Sequence, residues 1–315
     1  MADAFTSTSA VTLDQAAYDL LLRYPLRSQL YFDRVADVQP TRQSMPGASV
    51  IFNLATELAV ATTPLTETSD IDAVAMANSQ VTVTLVEYGN AMNVTAKLRG
   101  TSMVDVMPAV ANLLGYNAGR SMDTVVFNIL VAGTNVIYGG AITARANVAA
   151  ATIITAAKIR QILASLREAN VADFGGYYNA FIHPRVSYDL RAETGAAAWR
   201  DPHTYSQPAE IWNGEVGAFE GFRFIESPTV APFTDAGVGS TVDVYPTLFL
   251  GREALAKAWS SADGNGPQPR VVASPVIDKL RRFTPMGWYW LGGYSRFREA
   301  ALYRLETSSS IGANA

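Results

Sequence analysis

The sequence contains no cysteine and only two histidines, His183 and His203, in 315 residues. A disulfide scaffold, a thiol nucleophile and any Cys-ligated zinc or iron–sulfur centre are therefore excluded. Lysine is scarce as well. Lys97, Lys158, Lys257 and Lys279 are the whole set, and the rest of the 24 basic residues are arginine. Charged residues make up 17% of the chain and the net charge is −4. That fraction is below the usual quarter, and the balance excludes a dense basic coat for nucleic acid. A sparsely charged, arginine-biased surface is what contact with other protein favours. An uninterrupted apolar run of about 18 residues is also missing, so no membrane span is expected. The most apolar stretch, 125–142, is broken by Asn128, Asn135 and glycines. Residues 1–8 have neither a basic nor an apolar region, which reads as a chain without a secretory signal, soluble in the cytosol.

What is present is a chain that is 49% hydrophobic, enough to build a core. Disorder of the bulk is excluded, and the length fits one large domain or two modest ones. Residues 13–23 read as a short helix stopped by Pro25, and 25–48 as an extended arm. Ser49 to Leu54 is a strand candidate. From 80 to 98, Val81, Val83 and Leu85, then Met92, Val94, Ala96 and Leu98, alternate with polar residues around Gly89-Asn90. This pattern predicts a two-stranded hairpin. It has little core of its own and needs something to lie on. Residues 102–130 read as helix, interrupted at Pro108 and 115–119, with Ser121 capping the second part. Residues 133–150 read as loop or weak strand.

The clearest amphipathic helix is 152–170, with Ile159, Ile162, Leu163 and Leu166 on one face. Tyr177 to Ile182 predicts a buried strand, and Pro184 opens a helix. Trp199 to Gly214 reads as loop, Phe222–Glu226 and Val242–Leu250 as strands, Gly251–Trp259 as helix. A loop tip at 263–269 leads into strand-like text over 271–307. No internal repeat is visible.

Few residues point to chemistry. The phosphate-binding, serine-hydrolase and zinc-protease motifs are missing. His183 sits at a strand end before Pro184, where a structural role is expected. Asp201-Pro202-His203 reads as a solvated turn. The carboxylates are scattered, with no pair placed for acid–base work. Arg281-Arg282 and Arg296 with Arg298 fit either a nucleic-acid or subunit contact or a solvated strand edge. Trp288-Tyr289-Trp290 suits a strand with buried aromatic faces better than a base-stacking platform. No catalytic, cofactor-binding or metal-binding residue is assigned, and no enzyme is expected.

The order of elements carries more information. An arm leads to a weakly supported hairpin, then a helix, a compact mixed region and closing strands. Local phrases add to it. Tyr178-Asn179-Ala180-Phe181-Ile182-His183-Pro184 runs into Val186-Ser187-Tyr188-Asp189-Leu190-Arg191. Gly214, Gly217 and Gly221 punctuate a phrase ending in Ser227-Pro228. Tyr245 to Ala254 reads as a strand–glycine–helix step, and Met286-Gly287-Trp288 precedes Tyr303-Arg304-Leu305-Glu306. Together these resemble the major capsid proteins of tailed phages, with the Hong Kong 97-type fold, over residues 20–307.

The resemblance implies an α+β fold. Residues 1–40 would be an N-terminal arm and 41–100 an extended loop whose Val81–Lys97 hairpin reaches over a neighbouring subunit. Residues 101–150 and 271–307 would form a peripheral domain with a spine helix, 151–270 an axial domain, and 308–315 a C-terminal tail. The implied function is self-assembly, as hexamers and pentamers, into an icosahedral shell around a double-stranded DNA genome. The implied place is the virion, assembled in the host bacterial cytoplasm. Only about 40 residues precede the first strand, so a separate scaffolding protein is expected. A portal protein and a decoration protein are further implied partners. Packaged DNA would be held by weak, non-specific contact. An encapsulin-type compartment shell and an oligomeric enzyme with an unrecognised site are the competing readings.

Overall fold

A computed structural model describes residues 32–35, 37–38, 49–55, 58–65, 67–68, 70–102, 105–193, 215–260, 266–273, 275, 280 and 282–312. The helix expected at 13–23 and the loop expected at 199–214 lie outside them.

The described chain begins with a 3-10 turn at Phe32–Val35 and β1 (Asp37–Val38). Next come β2 (Ser49–Ala55), β3 (Asn78–Thr84) and β4 (Val86–Thr95), then the short α1 (Ala96–Thr101) and the long α2 (Val106–Val131). β5 (Val136–Tyr138), α3 (Ala156–Glu168), β6 (Tyr178–Ile182) and α4 (Pro184–Ala192) follow. The remaining strands are β7 (Glu215–Phe219), β8 (Phe222–Glu226), β9 (Tyr245–Leu250), β10 (Leu255–Trp259), β11 (Arg270–Ala273), β12 (Phe283–Arg296) and β13 (Leu302–Thr307).

These strands make two sheets and a ribbon. One sheet holds six strands in the order β5-β13-β9-β6-β8-β7. The other is built on β12, with β4 along one edge and β11 and β10 in succession along the opposite one, and β1 beyond β10. The ribbon is β2 paired antiparallel with β3.

The hairpin expected at 80–98 is corrected by this pairing. Gly89-Asn90 is no turn, because β4 runs straight through it along β12. Gly89 lies so close to β12 that a methyl there would sit 2.9 Å from the Trp288 carbonyl oxygen. Glycine serves close strand approach here rather than reversal of the chain. The ribbon instead joins 49–55 to 78–84.

α2 is unbroken, contrary to the interruptions read at Pro108 and 115–119. Asp105 caps it, accepting from the Met107 backbone N–H at 3.2 Å. Pro108 then falls in the first turn, where no intrahelical partner for its nitrogen is needed. Val110, Leu114, Ala118, Met122, Val126 and Leu130 recur every fourth residue and are buried. Gly115 faces open space and loses nothing by lacking a side chain. Ser121 is an interior residue, not a cap. At 1.5 Å per residue the helix is about 39 Å long.

Two further assignments change. Gly251–Trp259 ends in the strand β10 rather than a helix, so Tyr245 to Ala254 is a strand–glycine–strand step. Glu253 has φ +63, which a continuing helix would not tolerate. The sheets also ignore the division into 151–270 and 271–307. β10 belongs with β12, and β13 belongs with β9 and β5. Two of the crossings between the sheets, from β9 to β10 and from β12 to β13, run side by side. Backbone bonds from Arg298 to Glu253, Phe297 to Ala254 and Gly251 to Ala301 zip the two crossings together. The C-terminal residues Ser308 and Ser309 are fully buried rather than trailing as a tail. Ser310 binds Asp189 of α4 through both its backbone N–H and its hydroxyl.

One hydrophobic core spans α2, the inner face of the β12 sheet and the six-stranded sheet. α3 presents Ile159, Ile162 and Leu166 to it, all fully buried, as its periodicity predicts. β7 and β8 turn at Glu220-Gly221, both with positive φ as a type I′ hairpin requires. β7 is irregular between Glu215 and Gly217. Thus two of the three phrase glycines sit at backbone irregularities, and Gly214 lies outside the described residues. Glu306, fully buried on β13, is gripped by Arg145 at 2.6 and 2.8 Å and lies 2.7 Å from Arg304. The bond to Glu306 raises the Arg145 pKa, and burial lowers that of Arg304.

Candidate assembly surfaces

The most exposed apolar segment among the described residues lies between the two ribbon strands. Its described residues, from Leu58 to Asn78, are exposed throughout. Val60 is 86% exposed, and Leu65, Val74 and Met76 are each more than three quarters exposed. A cluster of this kind marks an interaction surface. Residues 43–96 contain five acids (Glu57, Glu67, Asp70, Asp72, Glu87) and no lysine, arginine or histidine. The sequence carried this signal in plain view, as a charge partition rather than a motif.

Among the described residues, the ribbon is anchored at its base. Phe52 and Val83 pack on Ala256 and Ala258 of β10, with Phe297 edge-on to Phe52 at 5.8 Å. Beneath them Gly293 leaves room for the ribbon backbone. An added methyl would meet the Thr84 carbonyl oxygen at 2.1 Å.

The second surface is the one that holds Phe32 and Asp33. Phe32 is fully buried and contacts Phe127 of α2 at 5.5 Å and Phe181 of β6 at 4.8 Å. Its backbone N–H donates to buried Asp123 at 2.9 Å. Asp33 accepts from Lys257 Nζ at 2.7 and 2.9 Å, from the Tyr294 hydroxyl at 2.6 Å and from Gln268 at 3.3 Å. Lys257 is only 2% exposed and lies 5.6 Å from the Trp290 ring and 5.5 Å from that of Tyr294. Burial, then the neighbouring Asp33 charge, pushes the Tyr294 hydroxyl well above its ordinary pKa. Two consecutive residues thus fix the segment, one by apolar burial and one by charge. Sequence patterning missed both, because no local periodicity marks a pair 224 residues apart.

The residues singled out from sequence fall mostly into structural roles. His183 caps α4, its Nδ1 accepting from the Arg185 N–H at 3.2 Å. Its ring lies 4.9 Å from that of Tyr245. Burial and, second, the charge of Arg185 lower its pKa to about 4. The unfolded chain therefore binds this proton first, and stability is lost as pH falls from about 6.5 towards 4. Asn caps a helix without titrating. His183→Asn is expected to remove part of that pH dependence, seen as a smaller drop in unfolding midpoint between pH 6.5 and 4 than in the unaltered chain. Equal drops would show that His183 carries no linkage.

Trp288 and Trp290 face α2 and are buried, Trp288 donating to Asn117 at 2.8 Å. That geometry suits the buried-strand reading and leaves no face for bases. Arg296 pairs with Glu299 at 2.8 Å, and Arg298 donates to the Ala169 carbonyl at the end of α3. Arg282 is exposed beside its own Phe283, and Arg281, Asp201 and His203 lie outside the described residues.

Over residues 4–307 the sequence matches the family described as phage capsid protein. No curated protein matches it. The fold is similar to the capsid of Ralstonia phage GP4, with a TM-score of 0.73 and 17% identity over 97% of this chain and 99% of that one. It is also similar to the cyanophage Pam1 capsid, at TM-score 0.78 and 17% identity over 99% and 100%. The capsid of a native GTA particle matches at TM-score 0.67 and 14% identity over 96% and 98%.

Proposed function

Since the chain belongs to the phage capsid protein family and serves as a major protein of the capsid shell, we propose that it closes this shell from pentamers and hexamers held through the ribbon and the N-terminal segment. The observation that carries this reading is the ribbon itself. An apolar segment exposed from Leu58 to Met76 is a liability in an isolated subunit and an asset in a closed assembly.

The β12 sheet with α2 takes the role of a peripheral domain and the six-stranded sheet that of an axial domain, a division supported by the pairing of β10 with β12 and of β13 with β9. A separate scaffolding protein, a portal protein and a decoration protein are its further partners, and assembly takes place in the host bacterial cytoplasm. Packaged DNA meets the shell by weak, salt-sensitive contact, in keeping with the net charge of −4. The family is a structural one, which points away from catalysis, and the compartment-shell alternative is not favoured beside a family of phage capsids.

Negative-stain electron microscopy with size exclusion tests the reading. Closed shells, or rings of five and six subunits, are expected from the purified chain. A monomer, dimer or tetramer at every salt concentration, with and without scaffolding protein, would overturn it.

A further inference from the structure

The sequence leaves Arg282 open between a nucleic-acid contact, a subunit contact and a solvated strand edge. The structure gives it neighbours. The Ala96 N–H donates to the Arg282 carbonyl at 2.7 Å, which ties the start of β12 to the first residue of α1. Lys97, Arg99 and Arg282 are all exposed there. Two exposed bases elsewhere are answered by carboxylates, Arg160 by Glu220 at 2.9 Å and Arg191 by Glu226 at 3.0 Å. Lys97 and Arg99 pair with no carboxylate among the described residues.

Acid is kept away from this end of the sheet. The sequence has none between Glu87 and Asp105, and none between Asp278 and Glu299. Glu87 stands towards the far end of β4, about 27 Å from Thr95. Asp105 is committed to the Met107 N–H as the cap of α2. Asn93, Gly100 and Thr101 near the bases are exposed and neutral. Leu98 is the one large apolar side chain exposed on α1, and a single exposed leucine is ordinary for any surface.

We propose that Lys97, Arg99 and Arg282 form a seat for the phosphate backbone of packaged double-stranded DNA. The inference rests on the reading of the chain as a subunit of a DNA-filled shell, and adds to it the surface that meets the DNA. Exposed cations beside neutral hydrogen-bonding groups suit phosphate oxygens, which take sequence-independent contacts from lysine, arginine, threonine and asparagine. An acidic protein partner calls for apolar anchors among the charges, and α1 offers only Leu98. Three contacts per subunit bind weakly, yet they repeat in every copy of a shell, so the sum holds DNA without reading its sequence. The seat places α1 on the inner wall.

Fluorescence anisotropy of the unassembled full-length subunit with a labelled duplex, over a range of salt concentrations, tests this. Each phosphate contact steepens the fall of log affinity with log salt by about 0.9. Lys97→Gln, Arg99→Gln and Arg282→Gln together are expected to flatten that slope by about 2.7 at an unchanged melting temperature. Arg160→Gln, Arg167→Gln and Arg252→Gln, at exposed bases near the six-stranded sheet, are expected to leave the slope as it is. Equal slopes for the unaltered chain and the first variant, or no duplex binding by the unaltered chain, would overturn the proposal. So would displacement of the duplex by polyglutamate at a lower charge concentration than by unlabelled duplex, which would assign the surface to an acidic protein.

Electron microscopy of the same chains separates the seat from the shell reading. Shells are expected from the first variant, because its altered bases meet DNA and not a neighbouring subunit. A folded first variant without shells, beside an unaltered chain that forms them, would make these bases a subunit contact and overturn the seat alone. An unaltered chain that forms no shells would overturn both.

Discussion

Replacing residues 58–76 with a short glycine–serine turn leaves a folded subunit that no longer closes shells. The replaced residues are exposed wherever they are described, so their removal takes little from the core. The register from Ser49↔Thr84 to Ala55↔Asn78 is retained. Shortening the loop makes closure easier by about 1–2 kcal/mol. The melting temperature should therefore hold or rise slightly, while sedimentation shows loss of every species above the free subunit. Shells of normal size from this variant would show that the ribbon tip is dispensable for assembly. A large fall in melting temperature would show that the tip supports its own subunit.

Asp33→Ala is expected to cost about 3–5 kcal/mol, because it strands the buried Lys257 without its partner. Adding Lys257→Met to that variant should recover most of the loss. Methionine replaces the long stem between the Trp290 and Tyr294 rings and brings no charge. Denaturant midpoints of the two single variants and the double variant measure the coupling. Trypsin cleavage after Arg34 should speed up in Asp33→Ala and slow again in the double variant. Additive losses, with no recovery, would mean that Asp33 and Lys257 act separately. The pair is well placed to hold the described turn at Phe32–Val35 in place, since β1 contributes only two residue pairs to β10.

Two of the misread elements share one cause. Gly89-Asn90 is a turn dipeptide by composition, and 251–259 passes for helix because alanine at 254, 256 and 258 hides the alternation. In both places the deciding contact is remote: Trp288 for Gly89, and Arg296 to Gly292 for β10. Pro108 and Gly115 were misleading for the opposite reason. A helix buried at every fourth residue from Val110 to Leu130 is held by its core contacts, and isolated poor helix formers on its outer face do not break it.

Local chemistry in the sequence was enough to settle α3, β6 with the Pro184 start of α4 and most strands of the second half. It also settled the class of function. A chain with no cysteine and few charges suits contact with copies of itself, and the family phrases pointed to a capsid. Periodicity, caps and turns operate within a few residues, so they survive in any local window. Only the tertiary structure decided which strand lies beside which, that β10 and β13 exchange sheets, and that Phe32 and Asp33 lock into a seam formed by residues up to 261 positions away. Those choices turn on complementary volume and on a buried charge finding its partner, quantities that exist only once the distant segments have met.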